Sequence, residues 1–181
     1  MFYKFNFVTI FYHILFDFTI DKEEKQKLLQ MFNVPVILIS DEMDGYSSVN
    51  FDNSTGMVFG IEHLMRVHNT RYFGYVSGPR HNLDAMERRN VFEQIMIQNR
   101  FVTEQYRIVE GDFTYSCTDV IEELLDSFPQ MEALVCGNDM MCFGAYKVLE
   151  KRGLVPGKDI AVIGFDDVPF ASQATPGLTT V

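Results

Sequence analysis

Two stretches near the end of the chain, VCGNDMMCFG (Val135–Gly144) and AVIGFDDVPF (Ala161–Phe170), decide the fold. In each, a short apolar run that is typical of a buried strand ends abruptly at two adjacent polar residues. Ligands of an open parallel sheet bind beyond the carboxyl ends of its strands. We therefore expect both polar pairs at one edge of a sheet, where amide and carboxylate groups suit a neutral polyhydroxylated molecule.

Each polar pair also has a purely structural interpretation. Asn138 or Asp139 would cap a helix that begins near Met140, and Asp166 and Asp167 would stabilise a following turn. Local preference favours capping for any one of these residues, and two matching junctions shift the balance only modestly toward a ligand site. The sequence leaves both interpretations open.

The chain between Lys22 and these stretches alternates helix and strand patterns. Repeated alternation with apolar strands predicts the α/β class, with parallel sheets flanked by helices. Amphipathic patterns predict helices in KEEKQKLLQMF (22–32), TGMVFGIEHLMRVH (55–68), the segment from Ala85, CTDVIEELLDSF (117–128) and MMCFGAYKVLEKRG (140–153). Apolar runs predict strands in VPVILIS (34–40), RYFGYVSG (71–78), EQYRIVEGD (104–112), ALVCG (133–137) and DIAVIGF (159–165).

Composition and charge narrow the function. The 181 residues carry a formal net charge of −10 with acidic and basic residues interspersed, so bulk charge does not favour nucleic-acid binding. Three cysteines without a CxxC pair favour a reducing compartment, and we expect the cytoplasm. The aromatic start, residues 1–20, is too short in its uncharged run for a membrane span, which needs about 20 apolar residues. We expect a buried strand region there and no membrane association.

The closing block ALVCGNDMMCFGAYKVLEKRGLVPGKDIAVIGFDDVPFASQATPGLTTV (133–181) resembles the effector-binding domain of the lactose-repressor/galactose-repressor family of bacterial transcription regulators. Further matches are VPVILIS followed by SVNFDN, then IEHLMRVHN, YFGYVSGP and the helix around Arg88, so that the resemblance spans about Val34 to Val181. It implies a periplasmic-binding-protein-like type I fold. In that fold, two α/β lobes joined by crossing strands hold a sugar, nucleoside or similar small effector between them.

The resemblance implies a set of ligand-binding residues. Asn138 and Asp166 would bind the hydroxyl groups of the effector, and Phe165 would lie beside them on the cleft wall. Arg88 corresponds to the arginine on the first helix of the second lobe that reaches the effector.

Two further positions complete the implied set. Phe113 falls where family members place an aromatic ring against the apolar face of a sugar, and Asp84 lies near the start of the helix that carries Arg88. Two of the implied residues also fit structural roles. Arg88 and Arg89 are compatible with an exposed charged face, and Phe113 is compatible with a core position.

No metal or cofactor is expected. His63 and His68 are five positions apart, off the i, i+4 spacing of a zinc-binding helix. Asp52 and Asn53 are assigned to a helix start.

The chain departs from the family at the turn after the EHL helix. Family members usually carry Gly-His there, and this chain reads Val67, His68, Asn69. Asn tolerates the left-handed conformation that such a turn requires, so we expect the turn to be kept. The same turn resembles a subgroup of sensory domains attached to diguanylate cyclases or histidine kinases.

We expect residues 1–69 to form a partial first lobe, residues 70–175 a complete second lobe, and residues 176–181 the start of a strand that crosses back. The family's helix-turn-helix is not recognisable before Lys22, so DNA contact is expected only through that missing segment and the chain is expected to be a fragment. Family members form homodimers through both lobes, and the partial first lobe argues against the same dimer here.

The predicted function is sensing of a sugar-like effector that controls DNA binding through lobe closure. Two alternatives stay open: the sensory domain of a diguanylate cyclase or histidine kinase, and a sugar-binding protein of a transport system. An enzyme is not expected, because GxGxxG, GxxxxGK[ST] and GxSxG motifs are missing. Asp166 and Asp167 are also not expected to act together as acid and base, because adjacent side chains at a strand end point in different directions.

Overall fold

The computed structural model describes residues 13–15, 22–33 and 35–181 of the chain. The chain divides into two compact units between Phe51 and Asp52. Of the buried strand region predicted at residues 1–20, only His13–Leu15 is described, and it forms a strand. The rest of that prediction lies outside the described residues.

The first unit contains a three-stranded parallel sheet and one described helix. Its elements are β1 (His13–Leu15), α1 (Lys22–Gln30), β2 (Val36–Ile39) and β3 (Ser47–Val49), and β2 lies in the middle of the sheet. Burial of apolar side chains from α1 and β2 holds these elements together, since they form one cluster: Leu29, Val36 and Leu38.

The second unit is a four-stranded parallel sheet covered by helices. Pairing of the strands in the order β5-β4-β6-β7 is parallel throughout. The elements are α2 (Asn53–Val67), β4 (Phe73–Ser77), α3 (Leu83–Gln98), β5 (Tyr106–Glu110), α4 (Thr118–Ser127), β6 (Ala133–Cys136), α5 (Asp139–Lys151) and β7 (Ala161–Ile163). This architecture confirms the predicted α/β class with parallel sheets flanked by helices.

The sheet of the second unit separates two apolar cores. Helices α2 and α3 form one core with residues from β4, β6 and β7, and α4 and α5 form the other. The central strands β4 and β6 are buried at every position, as expected for parallel strands that are covered on both faces. The continuous apolar runs in the sequence therefore mark the strands at the centre of the sheet.

The division between the units lies earlier in the chain than the predicted lobe boundary at residue 69. Helix α2 was expected in the partial first lobe, but Met57, Ile61 and Leu64 pack in the core that α2 shares with α3. The boundary therefore precedes α2, at Phe51. The assignment of the two units to lobes of a longer protein stays a prediction.

The closing residues also belong to the second unit. Thr179 forms a parallel bridge with Ile163 at the edge of the sheet. The N–H of Gly164 donates to the Thr179 carbonyl at 2.9 Å. This segment therefore extends the sheet beyond β7. That residues 176–181 begin a strand that crosses back stays a prediction.

Two helices of the second unit are followed by residues in the left-handed conformation. Asn69 follows α2 with a φ of 55°, the left-handed conformation expected at this turn. Gly153 has a φ of 71° and its N–H donates to the Glu150 carbonyl, as expected for a glycine just beyond α5. Among the described helices, none is long and apolar enough to span a membrane.

The core between α3 and the sheet generates a stability prediction. Phe92 is fully buried and stacks on Tyr75, with ring centroids 4.7 Å apart. Phe92→Ala should lower the free energy of unfolding by about 3–5 kcal/mol through lost burial and a residual cavity. Phe59→Ala is the matched control, because Phe59 on α2 is 66% exposed and should change stability by about 0.5 kcal/mol or less. Urea unfolding of both variants measures the difference, and equal losses would contradict this packing.

Candidate functional site

The candidate site lies at the carboxyl edge of the second sheet. In the order β5-β4-β6-β7, the first strand of the unit, β4, lies in the interior, so the direction of strand addition reverses between β4 and β6. The connecting helices follow this reversal, since α3 covers one face and α4 and α5 cover the other. Such a reversal leaves a crevice beyond the strand ends, which is where open α/β sheets bind ligands.

Arg88, on the second turn of α3, reaches the end of β6 at this crevice. Its side chain is only 6% exposed. The Nε–H group donates to Asn53 Oδ1 at 2.8 Å, and Nη1 donates to the Gly137 carbonyl at 2.5 Å. Burial lowers the pKa of Arg88, although Asp166 and Asp84 oppose this effect, and the guanidinium remains charged. The alternative that Arg88 belongs to an exposed charged face is wrong.

Asp166 lies next to Arg88 on the segment that follows β7. Its Oδ1 is 3.4 Å from Arg88 Nη1, and its side chain is 39% exposed. Burial raises the pKa of the Asp166 carboxyl, with Asp139 and Asp84 adding to the effect and Arg88 opposing it. The backbone has a φ of 109°, so Asp166 does not adopt a helix-capping conformation. The structure thus presents a partly exposed carboxylate beside a buried cation.

Asn138 combines a structural role with a place at the site. It is the N-cap of α5, because its Oδ1 accepts from the Met141 N–H at 3.0 Å. Its Nδ2 donates to the Phe113 carbonyl at 3.1 Å. The capping interpretation is therefore confirmed for Asn138. The residue also lies next to the site, because the carbonyl of the preceding residue, Gly137, accepts from Arg88. Its ligand role stays a prediction.

The two aromatic residues of the predicted site lie in different environments. Phe113 has a φ of 64°, and its ring packs over Gly78 at the end of β4, where an added Cβ would lie 2.2 Å from the Phe113 Cζ. Phe165 is 8% exposed, and its ring centroid is 3.8 Å from Arg88 Cζ. Phe165 therefore stabilises the guanidinium of Arg88 through a cation–π contact.

Asn53 is a site residue that sequence reasoning assigned only to a helix start. It is fully buried, and besides accepting from Arg88 it donates through Nδ2 to Asp84 Oδ1 and Glu87 Oε2, each at 2.8 Å. The cap of α2 is its neighbour Asp52, whose side chain accepts from the Thr55 N–H. One carboxamide thus joins the guanidinium to two carboxylates.

Asp84 belongs to the cluster through Asn53. The N-cap of α3 is Asn82, whose Oδ1 accepts from the Ala85 N–H at 2.9 Å. Asp84 lies in the first turn of α3, and its carboxylate accepts from Asn53 Nδ2.

The histidine pair is closer than its spacing indicated. His68 is the C-cap of α2, and its Nε2 lies 3.2 Å from that of His63. Within the described ranges, no group of three or more His, Cys, Asp or Glu side chains could hold a metal ion.

A separate cavity of about 540 Å³ runs along the C-terminal half of α5 to Pro176, and the predicted ligand residues do not line it.

The Asn53 network generates a second prediction. Asn53→Ala removes the acceptor of the Arg88 Nε–H and leaves buried polar groups unpaired, so the free energy of unfolding should fall by about 1–3 kcal/mol. Asn90→Ala on the exposed side of α3 is the matched control and should change stability by about 0.5 kcal/mol or less. Chemical unfolding measures both; an Asn53 variant as stable as the control would refute the buried network.

Comparison with known proteins places this geometry in a family context. Residues 61–181 match the family model described as a periplasmic binding protein-like domain. The ribose operon repressor of Escherichia coli (strain K12) is 30% identical over 163 residues, which cover 88% of this chain and 49% of the repressor. The HTH-type transcriptional regulator CelR of Thermobifida fusca is 29% identical over 75% of this chain and 40% of its own length. The chain spans about half the length of the curated relatives that it matches.

A solved structure supports the same relationship. The crystal structure of a sugar-binding transcriptional regulator (LacI family) from Enterococcus faecalis superposes with a TM-score of 0.83 at 28% identity. The match covers 93% of this chain and 63% of that protein. The similarity therefore extends over both units of the chain.

Proposed function

Because this chain belongs to the family of periplasmic binding protein-like domains, we propose that it is the effector-binding domain of a cytoplasmic transcription regulator of the lactose-repressor/galactose-repressor type. The chain binds a small hydroxylated effector and carries out no catalysis. Its similarity to the ribose operon repressor and to CelR supports regulation of transcription as the output.

The pairing of Arg88 with Asp166 is the observation that carries this proposal. A guanidinium supplies only donors and a carboxylate only acceptors, and a sugar hydroxyl both donates and accepts. Their 3.4 Å separation is longer than the roughly 2.7–2.9 Å of a tight charge-assisted bond. A hydroxyl group of the effector can therefore accept from Arg88 and donate to Asp166.

The neighbouring residues complete the recognition of a sugar-sized molecule. Asn138 places a carboxamide at the end of β6, and the partly buried ring of Phe113 packs over the end of β4. A flat aromatic ring beside polar groups suits the apolar face and hydroxyl edge of a sugar or the base and ribose of a nucleoside. Asp84 does not contact the effector in this proposal. It accepts from Asn53, and Asn53 in turn accepts from Arg88.

The charge around the site selects against anionic effectors. The carboxylate of Asp166 lies beside the guanidinium of Arg88, and those of Asp84 and Glu87 accept from Asn53, which in turn binds Arg88. Arg88 already donates to the Gly137 carbonyl. A phosphate group placed here would add negative charge to a site whose carboxylates already exceed its cation. We therefore assign a neutral sugar or nucleoside.

Binding produces an output by shifting a conformational population. An effector that prefers one conformation of the regulator stabilises that conformation in proportion to the difference in affinity. Coupling energies of this kind are typically about 1–3 kcal/mol, which is enough to change operator affinity roughly 5- to 150-fold. In this proposal, DNA contact belongs to a segment outside the present sequence.

A ligand screen tests the proposal directly. Thermal unfolding of the full chain should be measured with D-ribose, D-galactose, D-glucose, adenosine and uridine, and at least one of them should raise the Tm. Asp166→Asn removes the charged acceptor and should weaken binding of that compound by about 10- to 100-fold, the cost of losing a hydrogen bond to a charged group.

The matched control for this variant is Asp167→Asn, which removes the same charge one position further along an exposed segment. Its affinity should stay within about twofold of the parent chain, because exposed charges contribute little. Equal affinities for the parent chain and Asp166→Asn would refute the assigned role of Asp166. Failure of every compound to bind would count against a sugar or nucleoside effector.

The charge argument yields a separate prediction. If D-ribose or D-glucose binds in the screen, that sugar should bind at least about tenfold more tightly than its phosphate ester, D-ribose 5-phosphate or D-glucose 6-phosphate, because the phosphate would face the excess of carboxylates. Titration calorimetry of the full chain with each sugar and its phosphate ester measures the ratio. Tighter binding of either phosphate ester would contradict selection by charge.

A further inference from the structure

Asp139 is a buried carboxylate directly behind the candidate site, and no step of the proposed binding uses it. It is the first residue of α5 and is fully buried. Its Oδ1 accepts from the Thr180 hydroxyl at 2.6 Å, and its Oδ2 accepts from the Val168 N–H at 2.9 Å. Its own N–H donates to the Phe165 carbonyl at 2.8 Å. Asp139 therefore holds residues on both sides of Asp166.

The segment that carries Asp166 adopts a backbone conformation that needs support. Asp166 and Asp167 have φ values of 109° and 46°, in the left-handed region that residues other than glycine rarely occupy. Such a conformation persists only where its surroundings impose it. The Asp166 N–H donates to the Val181 carbonyl at 2.8 Å, and the Asp167 N–H donates to Thr180 Oγ1 at 3.2 Å.

Thr180 is the point where these contacts meet. Its hydroxyl accepts from the backbone of Asp167 and donates to Asp139, so one oxygen connects the segment to the start of α5. The approach is close enough to require glycine at position 164, where an added Cβ would lie 2.1 Å from Asp139 Oδ1. A side chain at Gly164 would displace the carboxylate and break the connection.

We propose that Asp139 and Thr180 form a clamp that fixes the position of the Asp166 carboxylate relative to Arg88. Both are positioning residues, because they act on the ligand site through the backbone of Asp166 and Asp167. The consequence for ligand binding rests on the proposed function, whereas the clamp itself is a property of the unliganded chain.

A simpler role for Asp139 makes a different prediction. A carboxylate in the first turn of a helix is stabilised by the helix dipole, and that effect would not involve Thr180. The titratable groups that act on Asp166 are Arg88, Asp139 and Asp84. Substitution of Thr180 leaves all three in the sequence and keeps Asp139 at the start of α5. Such a variant therefore loses the contact between Asp139 and Thr180 but keeps the interaction of Asp139 with the helix dipole.

Thr180→Val in the full chain removes the hydroxyl and keeps the shape of the side chain. The pKa of the Asp166 carboxyl, followed by carbon-13 NMR, should move from its raised value toward that of an ordinary aspartate, because the released segment becomes better hydrated. Amide exchange at Asp167 should accelerate by about fivefold, the effect expected when a hydrogen bond of ordinary net strength is lost.

Two matched variants complete the test. Thr180→Ser keeps the hydroxyl and should restore both the Asp166 titration and the slow amide exchange. Thr179→Val makes the same chemical change at the exposed neighbour, whose backbone carbonyl rather than its side chain binds Gly164, and should leave both readouts unchanged. A Thr180→Val chain that retains the parent Asp166 pKa and the parent exchange rate would overturn the clamp. These readouts need no ligand, so their outcome is independent of the effector screen.

Discussion

The buried guanidinium of Arg88 is the constraint on which the rest of the site depends. A charge removed from water is costly unless it is paired and hydrogen-bonded. Arg88 meets this requirement with Asn53 at the start of α2, the Gly137 carbonyl after β6, and the ring of Phe165 and the carboxylate of Asp166 after β7. One cation on α3 therefore fixes the relative positions of three other segments.

The two members of the central ion pair are held by different kinds of structure. Arg88 projects from a helix, and the fully buried carboxamide of Asn53 fixes its Nε–H. Asp166 lies on an irregular segment with a left-handed backbone and a partly exposed side chain. Elements of regular secondary structure place functional groups more accurately than loops do. The site thus combines a fixed donor with an acceptor whose position depends on the contacts of its own loop.

The sequence predicted the helices and strands well because their apolar residues repeat with clear periods and their ends carry recognisable signals. Local pattern could not assign α2 to its unit, because an amphipathic helix does not specify which sheet its apolar face covers. The same limit applies to Asn53. A polar residue beside Asp52 at a helix start is typical of a cap, and only the fold shows that Asp52 is the cap and that Asn53 faces inward.

The strand-end pattern predicted the places of Asn138 and Asp166, whereas that of Arg88 was predicted through resemblance. Arg88 and Asp166 are far apart in the sequence and meet only when α3 and β7 pack on one sheet. The residues that support them show a common arrangement. Asn53, at the start of the second unit, holds Arg88, and Thr180, in its closing segment, contacts the backbone beside Asp166. A displacement of either segment would change the separation of the guanidinium and the carboxylate. The ion pair is therefore connected to both ends of the unit through hydrogen bonds. Contiguous contacts of this kind are what energetic coupling between distant sites uses.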